Sequence, residues 1–248
     1  PDLWAIRDVT VETQNWRAPT NEPALPDRDQ PAANQAATPL SAADQQLIDE
    51  WQRVKDTSDR GVLLAANRAF DVCLLHGRLT QAQHIAAAAL ELARQLMIAT
   101  EDPPQALRDA SISLDNMGDV ARELGQLEAA HGYFSESLTI ARQLLQQLGE
   151  TPQALRDLSI SLDNMGNVAR ELGQLEAAQG YYDESLAIRR QLLQQLGETP
   201  QALRDVSISL EKIGNVAREL GQFEDAQGYF GESLAIRRQL LQQLGETP

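Results

Sequence analysis

One cysteine, three histidines and an aromatic share of only 4% leave few ways to build the commoner kinds of active or structural site. A lone thiol can close no internal disulfide, which excludes a disulfide scaffold and fits a reducing, cytoplasmic setting. Apolar runs long enough for a membrane helix are missing, and the opening residues lack the basic start and apolar core of a secretory leader. Basic residues are outnumbered, 21 against 36 acidic ones, for a net charge of −15. A nucleic-acid backbone or an anionic membrane surface needs clustered lysine and arginine, so neither is expected as the main partner.

Catalytic signatures are missing as well. The chain has no phosphate loop, no Gly-x-Ser-x-Gly and no His-Glu-x-x-His. Cys73 and His76 lie three residues apart and share a helical face, but no Asp or Asn companion or metal-ligand set accompanies them. They read as a core cysteine and a helix-end histidine. His84 and His131 have no partners by spacing. Paired acids such as Asp157 and Asp163 recur in each copy of a repeat, on what the pattern places as solvated helix faces, whereas an active site is ordinarily made once. The chain reads as a non-enzyme without metal or cofactor.

What is present is repetition. Residues 104–151, 152–199 and 200–247 align without a gap; the first pair differs at seven of forty-eight positions and the second at eight. Such a period belongs to stacked supersecondary units. In the middle copy, Thr151-Pro152 is a helix-start signal: the hydroxyl accepts from a free backbone N–H, and proline at the first helical position sacrifices no hydrogen bond. Leu155, Leu158, Leu162, Met165, Ala169 and Leu172 then follow at steps of three and four, which is one helical stripe. Gly173 supplies the backbone freedom required past a helix end. A second stripe runs through Leu175, Ala178, Tyr182, Leu186, Leu193 and Leu196 to Gly197. Each unit is therefore two long helices joined by a short turn, and neighbouring helices run antiparallel. One hairpin cannot cover its own stripe, so hairpins stack into a solenoid. Gly166, Ala169 and Ala178 are expected where two backbones approach closely, with Tyr182 filling the space between adjacent hairpins.

Upstream the pattern weakens. Residues 1–16 hold one possible strand, Val9 to Thr13. Five prolines within 17–40 read as an extended linker. Ser41, with Asp44 three residues on, opens a capping helix over 41–55. Residues 56–103 form a degenerate unit in register, since Gly77 lies 48 residues before Gly125 and Ala93-Arg94-Gln95-Leu96 maps onto Ala141-Arg142-Gln143-Leu144. Terminal repeats are usually atypical. The last unit spans 200–248 and stops at Thr247-Pro248, the first step of another unit, so continuation beyond it is expected.

The run Leu162, Met165-Gly166, Ala169, Gly173, Ala178, Tyr182 and Ser185 resembles the tetratricopeptide repeat, in the lengthened form of the kinesin light chain type that is also common in bacterial signalling proteins. Two positions depart from the family pattern: Ala169 stands in place of a tyrosine, and Arg190 in place of a proline, so the second helix can continue to Gly197. The resemblance implies an all-α, right-handed solenoid of antiparallel helix pairs whose first helices line a concave surface. It also implies a protein or peptide partner on that surface. The residues at the corresponding offsets are Asp115, Asn116, Asp119 and Arg122, then Asp163, Asn164, Asn167 and Arg170, then Glu211, Lys212, Asn215 and Arg218. The pattern places them opposite the buried stripe. Asparagine amides can hold a peptide backbone, and arginines can select acidic side chains. The family's carboxylate-clamp pocket needs lysine where this chain has Asp115, Asp163 and Glu211, which disfavours a chaperone adaptor. Two alternatives stay open: a sensor segment of a larger bacterial signalling protein, such as a nucleotide-switch ATPase or caspase-like protease, and self-assembly through an uncapped C-terminal repeat.

Overall fold

The computed structural model describes residues 39–55, 60–99 and 103–245, with side chains through residue 243. The strand expected at 9–13 and nearly all of the linker at 17–40 lie outside the described residues. Nine helices and no strand are found among those described: α1 (Ala42–Val54), α2 (Arg60–Leu75), α3 (Leu79–Ala99), α4 (Pro103–Glu123), α5 (Leu127–Leu148), α6 (Pro152–Glu171), α7 (Leu175–Leu196), α8 (Pro200–Glu219) and α9 (Phe223–Gly245). Each packs mainly on its neighbours in the chain, giving an all-α solenoid.

The caps are those the sequence sets up. Thr151 Oγ1 accepts from Ala154 N at 3.3 Å and Thr199 Oγ1 from Ala202 N at 3.2 Å, each with proline next in the chain. Ser41 and Asp44 form a reciprocal capping box on α1. The turn inside each hairpin needs a left-handed residue. At Gly173, φ is 75°, Gln174 N donates to Ala169 O at 2.8 Å and Gly173 N to Arg170 O at 3.0 Å, a Schellman closure that returns the chain at once.

Apolar clusters follow one another along the axis, and each draws on the second helix of one unit and the first helix of the next. Phe134 and Leu138 of α5 meet Leu155, Leu158, Leu162 and Met165 of α6. Tyr182 and Leu186 of α7 meet Val206, Leu210 and Ile213 of α8. At the amino end, α1 lays Ile48 and Trp51 over α2.

Two expectations are corrected. Gly166 does not serve an approach of two backbones. A Cβ there would collide with the Tyr182 ring, Gly118 stands in the same relation to Phe134, and a Cβ on Gly214 would lie 2.8 Å from Phe230. The glycine is a socket for the aromatic ring of its own hairpin. The second-helix stripe also turns before its end: Ile188 and Leu192 are buried, while Leu193 is half-buried and Leu196 exposed. Ile188 and Leu192 turn toward the cluster of α5 and α6, while Leu193 lies against that of α8.

Buried serines run through the same interfaces. Ser111 and Ser137 hydroxyls lie 2.9 Å apart, Ser137 and Ser161 3.2 Å, and Ser207 and Ser233 2.9 Å. Small side chains let the helices close, and pairing removes the cost of burying a hydroxyl.

Candidate partner-binding face

The twelve ladder residues sit on the first helices α4, α6 and α8, but at the margin of the buried stripe rather than opposite it. Asp163 is 5% exposed; the others on α6 and α8 range from half-buried Asn164, Asn167, Glu211, Lys212 and Asn215 to exposed Arg170 and Arg218. Stacking causes this. A residue comes within reach of the one that follows its equivalent in the next unit, 49 residues on, so polar side chains at the edge of the stripe join neighbouring units.

Those bonds are specific. Asn116 Nδ2 donates to Asn67 Oδ1 at 3.0 Å, one unit back. Arg122 lies 3.7 Å from Asp119 in its own helix and 3.6 Å from Glu171 in the next unit. Arg170 Nε donates to Glu219 at 3.0 Å, and the carboxyl of Glu219 is held below its ordinary range by that bond. Tyr182 Oη donates to Asn167 Oδ1 at 2.8 Å. Arg218 donates to Asn215 Oδ1 at 3.1 Å, and Glu211 pairs with Arg237. Asp163 is enclosed: its Oδ2 accepts from Arg189 at 2.7 Å and from Lys212 Nζ at 2.9 Å, and Lys212 also stands 5.5 Å from the centre of the Tyr182 ring. Such a buried charge is tolerable only because two cations answer it.

Asp115 holds the same position one unit earlier without a cation. Ala141 stands where Arg189 would be and Asn164 where Lys212 would be. Burial pushes its carboxyl up to about 7, against the pull of hydrogen bonds with Ser137 and Asn164, while Asp119 and Asp157 add repulsion. Burial likewise raises Asp119 and Asp71, and Asp71 adds to the repulsion at Asp119. The face is thus graded along its length, with a poorly neutralised acidic stretch at α2 and α4 and compensated pairs at α6 and α8.

Sequence reasoning did not find Arg189, which also donates to Asp205 O at 3.1 Å and Ser209 Oγ at 2.7 Å. The signal was its difference from Ala141 in an otherwise copied stretch. Cys73 is buried, and His76 Nε2 lies 3.3 Å from Asp44 Oδ2, joining the end of α2 to α1, as a core cysteine and a helix-end histidine do. Among the described residues no group of His, Cys, Asp or Glu is placed to hold a metal ion, and no helix is long and apolar enough to cross a membrane.

Models of the tetratricopeptide repeat match residues 112–153 and residues 157–239. Among solved structures, two crystal structures of a Podosopora anserina kinesin light chain-type protein with nearly identical TPR-like repeats are similar in fold, one of them a single-residue variant. The variant superposes with a TM-score of 0.57 at 13% identity, over 80% of this chain and 85% of that one. The other gives 0.57 at 15% identity, over 79% and 88%. A search of curated protein sequences finds no match.

Proposed function

Because the chain belongs to the tetratricopeptide repeat family, with its units lengthened to 48 residues, we propose that it is a protein-interaction scaffold that takes a peptide or an extended segment of a partner protein along its first-helix face. The observation that carries this reading is the half-buried amide row at Asn164, Asn167 and Asn215. These amides are fixed by neighbours and retain hydrogen-bonding capacity: Asn167 uses its oxygen on Tyr182 and Asn215 its oxygen on Arg218, which leaves N–H groups to donate to a peptide carbonyl. Exposed Arg218, hydrogen-bonded to the neutral Asn215, flanks the row and favours carboxylates on the bound segment, whereas Arg170 is already held by Glu219. No catalytic role is assigned to any residue.

Panning a random dodecapeptide library on the full chain tests the reading. Selected peptides should bind the parent and lose about tenfold or more in affinity when Asn167 and Asn215 are changed to alanine, with circular dichroism unchanged. Peptides that bind parent and variant equally would show that this row is not the site.

A further inference from the structure

One apolar position recurs on the exposed side of the first helices. Leu64 of α2, Ile112 of α4, Ile160 of α6 and Ile208 of α8 are equivalent residues, and they are 58%, 39%, 44% and 38% exposed. Ile112 and Ile160 have a unit on either side of them, so their exposure is not that of a chain end. Nor does the helix itself call for isoleucine there, since a β-branched side chain is a poorer helix former than the glutamate, lysine or glutamine of an ordinary wet face. Leu64 keeps the position apolar in the unit that differs most from the other three.

These side chains stand next to one another. One turn before them, Arg60 reaches Asp109 at 2.9 Å and Arg108 reaches Asp157 at 2.7 Å. One turn after them, Asn116 reaches Asn67 at 3.0 Å and Lys212 reaches Asp163 at 2.9 Å. Both rows tie a first helix to the next one, and the apolar position lies between the two rows. A scattered exposed leucine carries no meaning, but a continuous apolar line framed by polar bonds marks a surface that meets another molecule.

The charge beside this line identifies the occupant. Asp115 lies three residues past Ile112, on the same helical face, and forms no ion pair among the described residues. Asp119, one turn farther, has Arg122 at 3.7 Å, but that arginine is shared with Glu123 and Glu171. The arginines on the other side of the line, Arg60 and Arg108, are taken by Asp109 and Asp157. Arg68, exposed on α2, is not among the charges acting on Asp115 or Asp119. An apolar line with unanswered carboxylates along it is matched by a segment that brings apolar side chains and a cation.

We infer that the segment bound along the first-helix face is apolar and basic: its aliphatic or aromatic side chains lie along Leu64, Ile112, Ile160 and Ile208, and a lysine or arginine among them reaches Asp115 and Asp119. The inference rests on the first-helix reading above and names the chemistry of the partner for it. Apolar burial supplies the affinity. The cation does for Asp115 what Arg189 and Lys212 do for Asp163, and so fixes where along the face the segment sits. A segment with an acid at that place would set like charges together and is rejected. The preference for carboxylates argued above belongs to α8, two units farther on.

A random dodecapeptide library panned on three forms of the full chain tests this: the parent, Asp115→Asn with Asp119→Asn, and Ile112→Ser with Ile160→Ser, each folded by circular dichroism. Peptides selected on the parent should be enriched in apolar residues and in lysine or arginine. At a net charge of −15 some basic enrichment is general, so the asparagine variant is the control: on it the basic enrichment should fall and the apolar enrichment stay. On the serine variant the apolar enrichment should fall. For a synthetic peptide selected on the parent, exchanging its basic residue for glutamine should weaken binding to the parent about tenfold and leave binding to the asparagine variant unchanged. Basic enrichment that persists on the asparagine variant would overturn the inference. Peptides that need Asn167 and Asn215 but show neither enrichment would overturn it too and leave the first-helix reading standing. An empty selection, or peptides indifferent to those two asparagines, would overturn both. A parent chain that alone gains mass with concentration, when the serine variant does not, would put a second copy on the apolar line and overturn the inference as well.

Discussion

The guanidinium of Arg189 reaches Asp163 at 2.7 Å from a helix 26 residues farther along the chain, and both side chains are nearly closed from solvent, 11% and 8% exposed. The same arginine ties α7 to the backbone of α8 through Asp205 O. This pair therefore clamps three helices at once, at the interface of two units.

Removing the cation tests the clamp. Arg189→Ala should lower stability by about 2 kcal/mol, less than the usual loss for a broken buried pair because Lys212 remains on Asp163. Asp163→Asn should cost less in that variant than it does in the parent, since the bond to Arg189 is already gone. Urea unfolding of the parent, the two single variants and the double variant provides the comparison, and additive losses would show that the two residues do not act as a pair.

Glycines in equivalent helical settings should respond in opposite directions. Gly166→Ala pushes a methyl into the Tyr182 ring and should cost roughly 1–3 kcal/mol. Gly180→Ala, exposed on α7 with nothing within 4 Å, should gain about 0.5–1 kcal/mol from helix propensity alone. Thermal unfolding of the two variants gives the sign directly.

A pH dependence follows from Asp115. Its carboxyl stands at about 7 in the folded chain against an ordinary 3.8. Between those values the folded state holds a proton that the unfolded chain has released, so this group makes stability fall as pH rises, with the loss complete above about 7. Asp115→Asn carries no such penalty. Its advantage over the parent should be near zero at pH 4 and reach roughly 2–4 kcal/mol by pH 8. An advantage that is flat across this range would contradict the assignment.

Much of this architecture can be read from the chain, because its causes are local. Thr151-Pro152, Gly173 and the Leu155 to Leu172 stripe act within a few residues of themselves, and they define helix starts, turns and apolar faces without reference to anything distant. The ladder was legible as a series but not as a set of bonds. Asp163 reads as a solvated acid until α7 and α8 close around it, because the partners that bury and neutralise it lie 26 and 49 residues away. Gly166 was visible as a small residue, yet only the packed hairpin shows that its vacancy belongs to an aromatic ring. Asp115 and Asp163 look alike in sequence; the substitutions Ala141 and Asn164, at separate places, make one a strained acid and the other a clamp.

The most direct test of the binding face is nuclear magnetic resonance of the side-chain amides while a selected peptide is titrated into the full chain. The account predicts that the Asn164, Asn167 and Asn215 amide signals shift together, along one binding curve, while those of the glutamines on the outer surfaces of α5 and α7 stay in place. Movement of the outer glutamines with the three asparagines unmoved would place the partner on the opposite surface and contradict it.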